Sequence, residues 1–156
     1  MDLIPSFRID HMKLLPGVYV SRVDEVGGDF VTTFDVRMKR PNREPAIHPN
    51  AIHTLEHIVA TFLRNDAEWK DRIVYWGPMG CLTGNYLLVK GRPSPEELAP
   101  LLKRAFRSVV DWEGPVPGAK PEECGNAILH DLAMAKWEAQ RYLEALEGNP
   151  SFEYPL

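Results

Sequence analysis

His53-Thr54-Leu55-Glu56-His57 is the segment of this chain whose residue types and spacing could do chemistry. Two histidines four apart on a helix point the same way, one turn apart, so their imidazoles can meet at one ion. Glu56 precedes His57 and is rotated from it by about 100° around the helix axis. It can stand beside such an ion without ligating it, placed to take or give a proton. This is the H-x-x-E-H order of inverted zinc-binding motifs. A catalytic metal site usually has three protein donors and one open position, so a third donor is required. Cys124, followed by Gly125, is one candidate, and its neighbours Glu122 and Glu123 are the others. A thiolate is the softer donor and suits zinc or ferrous iron. A second cysteine, Cys81, lies in Gly77-Pro78-Met79-Gly80-Cys81-Leu82-Thr83-Gly84. Three glycines in eight residues permit a tight turn and close approach of backbone to a ligand. A thiol on such a turn beside a cation would be poised as a base or nucleophile.

The elements that must position these groups can be read from pattern. Val18–Val23 reads as a strand, Gly27-Gly28-Asp29 as a turn, and Phe30–Lys39 as a second strand, which together predict an antiparallel hairpin. Phe30, Thr32, Phe34, Val36 and Met38 share one face of that strand, and Val31, Thr33, Asp35 and Arg37 the other. After a proline-rich loop (41–49), Asn50 is the expected N-cap of a helix from about Ala51 to Arg64, with Leu55, Ile58, Val59, Phe62 and Leu63 as its apolar stripe. Ile73–Trp76 and Tyr86–Lys90 read as strands. Ser94-Pro95-Glu96-Glu97 is a capping box that opens a helix to about Trp112. Cys124–Leu129 reads as a short strand, and Asp131 as the cap of a last helix stopping at Gly148. Strand pairs joined by short turns argue against a doubly wound parallel sheet. The expected fold is a single α+β domain (1–156), an antiparallel sheet with helices packed on one face.

Composition narrows the function classes. The chain has 156 residues, 44% hydrophobic and 26% charged, which is enough to bury a core without staples. Eighteen Lys+Arg against 22 Asp+Glu leave a net charge of −4, which gives no basic footprint for nucleic acid. No stretch is apolar for long enough to cross a bilayer, and residues 1–7 lack the features of a secretory signal. The expectation is a cytoplasmic protein with no nucleic-acid or membrane partner, whose two cysteines stay as thiols.

The motifs taken together resemble the S-ribosylhomocysteine lyase (LuxS) family. The resemblance rests on Ser6-Phe7 with Asp10-His11 and on Phe34-Asp35-Val36-Arg37 with Pro41-Asn42. It continues through Ile52-His53-Thr54-Leu55-Glu56-His57, Gly77-Pro78-Met79-Gly80-Cys81 with Thr83-Gly84, and Cys124-Gly125. These stretches run in order from Ser6 to the last helix. The chain departs from the family's usual pattern at Leu82, at Asn85 and at Tyr75-Trp76-Gly77, without losing a ligand or an acid–base group.

The resemblance implies that His53, His57 and Cys124 hold a divalent metal, Fe²⁺, for which Zn²⁺ or Co²⁺ can substitute. It implies that Cys81 and Glu56 are the acid–base pair and that Ser6, His11, Arg37 and Arg64 contact the substrate. It implies a cytoplasmic homodimer with sites at the subunit interface, to which both chains contribute. The implied reaction cleaves the thioether of S-ribosylhomocysteine to homocysteine and 4,5-dihydroxy-2,3-pentanedione. The latter is the precursor of autoinducer-2, the quorum-sensing signal, and the reaction also serves the methionine cycle. Two other readings fit the residues alone. One is a metallopeptidase with Glu122 or Glu123 as third ligand, and the other is a non-catalytic metal- or sugar-binding module.

Overall fold

The computed structural model describes Asp2 and residues 4–155. Seven principal elements follow one another: β1 (Gly17–Val26), β2 (Asp29–Arg37), α1 (Pro49–Asn65), β3 (Ile73–Pro78), β4 (Gly84–Lys90), α2 (Pro95–Val110) and α3 (Leu132–Glu147). The four strands form one sheet in the order β1-β2-β4-β3, antiparallel throughout. The three helices pack on one another and on one face of that sheet. The α+β architecture expected from the sequence is therefore present.

Local chemistry explains most element boundaries. Gly27 and Gly28 both have positive φ (60° and 89°), as a two-residue turn needs if its twist is to match that of the strands it joins. The register of β1 against β2 shifts between Val20 and Arg22, so the strand carries an irregularity at Ser21 and runs on to Val26. β2 stops at Arg37 rather than Lys39, because the Met38 and Lys39 amides both donate to the Thr83 carbonyl. α1 begins at Pro49, whose fixed φ suits the first helical turn, and His48 rather than Asn50 is its N-cap: Nδ1 of His48 accepts from the Asn50 amide at 3.3 Å. At α2 the reciprocal pair is formed as expected. Ser94 Oγ accepts from the Glu97 amide (3.2 Å), and the Glu97 carboxylate accepts from the Ser94 amide (2.6 Å). Asp131 caps α3 by accepting from the Met134 amide at 2.9 Å.

Strand alternation divides the sheet into two unlike faces. Val18, Phe34, Val36, Leu87 and Val89 point to the helices and join Leu55, Ile58, Leu101, Phe106 and Leu143 in the core. Thr33, Asp35 and Arg37 point the other way, with Tyr86 and Leu88 beside them on β4. Asp35 and Arg37 are nevertheless buried, at 2% and 4% exposure, because other parts of the chain fold over that face.

The one element that did not form is the strand expected at Cys124–Leu129. These residues make successive turns, with the Glu123 and Cys124 amides donating to the Lys120 carbonyl and the Leu129 amide to that of Asn126. Ile128, which gave the segment its apolar look, is 92% exposed. The backbone here is committed to the site described next, not to a neighbouring strand.

Candidate metal and acid–base site

α1 places His53 and His57 one turn apart, as the four-residue spacing requires, and the loop between α2 and α3 closes over them. His53 Nδ1 lies 2.6 Å from the Leu129 carbonyl and His57 Nδ1 lies 2.7 Å from that of Pro117. A carbonyl only accepts, so each Nδ1 carries a hydrogen, and in the neutral ring that leaves each Nε2 with a bare lone pair. These two Nε2 atoms face each other at 3.0 Å. Two lone pairs cannot hydrogen-bond to one another, so the arrangement calls for a cation between them. Cys124 Sγ completes the triangle, 3.5 Å from His53 Nε2 and 3.7 Å from His57 Nε2. Tetrahedral donors at ordinary metal–nitrogen and metal–sulfur bond lengths would stand about 3.3 Å (N to N) and about 3.6 Å (N to S) apart. The donor set fits a divalent metal in both chemistry and spacing. Two neutral imidazoles and one thiolate bring a single negative charge, so a divalent ion would stay net positive.

Glu122 and Glu123, the rival donors in the sequence, are exposed, and Glu123 pairs with Lys120 at 3.7 Å. Glu56 is half-buried and lines a cavity of about 300 Å³ with His57, Pro117, Gly118 and Glu123. It therefore stands beside the cluster without joining it, as its position on the helix predicts.

The sequence reading missed His130. Its ring stacks on that of His53 with centroids 4.2 Å apart, and it belongs with His53, His57 and Cys124 to one group whose potential ligand atoms all lie within 4.8 Å of one another. Thr54 Oγ1 donates to the Asn50 carbonyl and accepts from the Asp131 amide. It therefore accepts from His130 Nδ1 at 3.1 Å and leaves His130 Nε2 bare, buried and without a protein partner among the described residues. Burial, then the nearby rings of His53 and His57, lower the pKa of His130, keeping it neutral. Its only sequence signal was a position next to the helix cap Asp131.

Gly118 matters to this geometry. Its φ of +70° is in the left-handed region, and a Cβ there would lie 3.2 Å from His57 Nδ1. Gly118→Ala is expected to tilt the His57 ring off the Pro117 carbonyl and to weaken zinc binding by about tenfold, measured by competition with a chromogenic chelator.

Cys81 belongs to a second group, on the sheet face opposite the helices. It is exposed and unpaired, and Cys124 is also a free thiol. The turn that presents Cys81 is held by Leu82, whose φ of 58° lies in the left-handed region and whose carbonyl accepts from the Ile47 amide. Cys81 Sγ is 3.1 Å from Thr83 Oγ1 and 3.8 Å from Arg37 Nη1. Arg37 also donates to Thr83 Oγ1 (2.6 Å) and grips Asp35 with two bonds, Nε to Oδ1 at 3.0 Å and Nη2 to Oδ2 at 2.6 Å. Burial acts to lower the guanidinium's pKa, but the Asp35 carboxylate outweighs it and the net shift is upward, so Arg37 is a permanent buried cation.

The remaining candidates lie apart from both groups. Ser6 helps line a cavity of about 520 Å³ together with Ser21, Thr33, Tyr75, Tyr86 and Leu88. His11 bonds its own loop, through Nδ1 to the Ile9 carbonyl at 2.9 Å. Arg64 is exposed and reaches the Val74 carbonyl at 3.3 Å. Within one chain, then, the structure brings His53, His57, Cys124 and Glu56 together and Arg37 and Cys81 together. No hydrogen bond joins the two groups among the described residues.

Comparison with known proteins gives a consistent picture. The family described as S-Ribosylhomocysteinase (LuxS) matches residues 4–152. A protein of Phocaeicola vulgatus named S-ribosylhomocysteine lyase is 64% identical over 148 residues, covering 94% of this chain and 92% of that relative. One of Porphyromonas gingivalis with the same name is 56% identical over 143 residues (92% and 90%), and one of Desulfotalea psychrophila is 50% identical over 149 residues (96% and 94%). No helix among the described residues is long and apolar enough to cross a membrane.

Proposed function

The chain belongs to the S-ribosylhomocysteinase (LuxS) family of lyases, and from that premise we propose that it cleaves S-ribosylhomocysteine at a divalent-metal site held by His53, His57 and Cys124. The observation that carries this reading is the pair of bare Nε2 atoms 3.0 Å apart with a cysteine sulfur beside both.

The reaction dictates what the site must offer. The substrate's sulfur sits on a saturated sugar carbon, from which direct displacement is difficult. An aldose–ketose isomerisation followed by a ketose–ketose isomerisation moves the carbonyl along the ribose chain until it stands two carbons from the one bearing sulfur. Loss of the proton on the carbon between them then expels homocysteine as thiolate and leaves an enol, which takes up a proton at its terminal carbon to give 4,5-dihydroxy-2,3-pentanedione, the autoinducer-2 precursor. Each step removes a proton next to a carbonyl and returns one elsewhere, so acid–base groups are needed at more than one point along the sugar. A bound divalent cation, Fe²⁺ in this reading with Zn²⁺ or Co²⁺ as substitutes, would supply Lewis acidity at the sugar carbonyl.

Glu56, beside the donor cluster, takes and returns protons on that side. Cys81 does so on the other, where its sulfur lies 3.8 Å from Nη1 of the buried Arg37 cation. Arg37, Ser6, His11 and Arg64 contact the substrate. Since Cys81 and the cluster have separate surroundings in one chain, the reading includes a homodimer whose sites draw on both subunits. Two free thiols suit a reducing cytoplasm, where the products feed quorum sensing and the methionine cycle.

The deciding experiment is thiol release. Protein purified anaerobically and loaded with Fe²⁺ is given S-ribosylhomocysteine, and new thiol is followed with a chromogenic reagent. Stoichiometric homocysteine is expected, and failure of metal-loaded protein to release thiol would overturn the reading.

A further inference from the structure

We propose that Tyr154 is a positioning residue of the lyase reaction, acting through Asp35 and Arg37 on Cys81. The inference rests on the reading of Cys81 as an acid–base group. Tyr154 comes after the last helix, 119 residues from Asp35 in sequence, yet its hydroxyl donates to Asp35 Oδ2 at 3.0 Å. The contact is built, since three independent features hold the segment in place. Ser151 bridges Gly17 at the start of β1, and the Val18 amide donates to the Ser151 carbonyl at 3.0 Å. The approach is so close that a Cβ on residue 17 would overlap the Ser151 carbonyl oxygen. Phe152 packs against the hydrophobic core. The Tyr154 ring then stacks flat on the buried ring of Tyr19, with centroids 4.7 Å apart and planes 5° from parallel.

The result is a continuous chain of polar contacts ending at the Cys81 sulfur. Asp35 Oδ2 is shared by two donors, the Tyr154 hydroxyl and Arg37 Nη2, and Arg37 Nη1 faces Thr83 Oγ1 and Cys81 Sγ. Asp35 is nearly fully buried, so the protein must supply all its donors. While Tyr154 satisfies part of that carboxylate, Arg37 is free to lie between Asp35 and the thiol. Without the hydroxyl, Asp35 has only Arg37 among the described side chains to satisfy it, and the guanidinium is drawn away from Cys81. Burial, with the Asp35 charge behind it, raises the phenol's pKa, so Tyr154 remains a donor wherever the protein is folded.

Tyr154→Phe keeps the stack on Tyr19 and removes only the hydroxyl. In the Fe²⁺-loaded protein, kcat for homocysteine release is expected to fall about threefold to tenfold with KM within about twofold of the parent. Alkylation of Cys81 by iodoacetamide, followed by peptide mass at neutral pH without substrate, should slow by a similar factor. Alkylation of Cys124 should not change, and the thermal midpoint should fall by no more than about a few degrees, the cost of one bond lost from a buried carboxylate. Tyr154→Leu, which also loses the stack, should show at least as large a change at Cys81. Parent-like kcat and Cys81 alkylation in Tyr154→Phe would overturn the proposal, as would equal slowing at both cysteines, which would mean a general loosening. Should the parent itself release no homocysteine, the lyase reading fails, and the alkylation arm alone still decides whether Tyr154 acts on Cys81.

Discussion

Cys81→Ala is expected to lower homocysteine release by about a hundredfold to ten-thousandfold, the range ordinarily lost with a positioned acid–base group, while bound metal per chain is unchanged. The separation of the two effects follows from the structure. Cys81 has Thr83 and Arg37 as its neighbours, on a turn built by Leu82, whereas the donor cluster is held by α1 and the loop around Pro117 and Leu129. Removing one sulfur therefore leaves the other site's geometry alone. Metal content by elemental analysis and turnover by thiol release, measured on one preparation, check both halves. A non-catalytic binding module predicts no change in any function on this substitution. Activity near that of the parent would remove Cys81 from the mechanism.

Cys124→Ser is expected to show the opposite pattern, with the metal itself lost. A serine hydroxyl is a poor substitute for a thiolate at a soft site, and the affinity for zinc should drop by at least about a hundredfold, equivalent to ~3 kcal/mol. The two imidazoles would remain aimed at each other at 3.0 Å without a thiolate to complete the set. Competition with a chelator of known affinity measures the change. Metal retained at full affinity would mean that Cys124 is not the third donor and that His130, or Glu122 or Glu123 as in the peptidase reading, takes that place. The exposure of both glutamates, and the pairing of Glu123 with Lys120, argue against that result.

The contrast between these two cysteines shows what a sequence can and cannot disclose. His53 and His57 were legible because a helix is periodic, so that spacing alone fixes their mutual direction. The hairpin was legible for the same reason, since alternation along β2 separates Phe34 and Val36 from Asp35 and Arg37. Cys124 lies 67 residues beyond His57 on a loop with no period, and only its donor chemistry, not its spacing, sets it apart from its two glutamate neighbours. The same loop misled the strand assignment, because Ile128 and Leu129 look like sheet residues while Ile128 faces solvent and the Leu129 carbonyl is spent on an imidazole. His130 and Tyr154 were missed for a related reason. Each acquires its role through a contact across the fold, and neither sits in a pattern that announces it.

The way the two imidazoles are aimed bears on how this protein can vary. Their orienting partners, the oxygens of Pro117 and Leu129, belong to the main chain, so changing the side chain at either position does not delete the acceptor. Such a centre is buffered against most point changes in the segment that builds it: the lettering can drift while the path is kept. The exception is where the path itself depends on the absence of a side chain, at Gly118. Across a lineage, that single position should tolerate less than the flanking stretch it sits in.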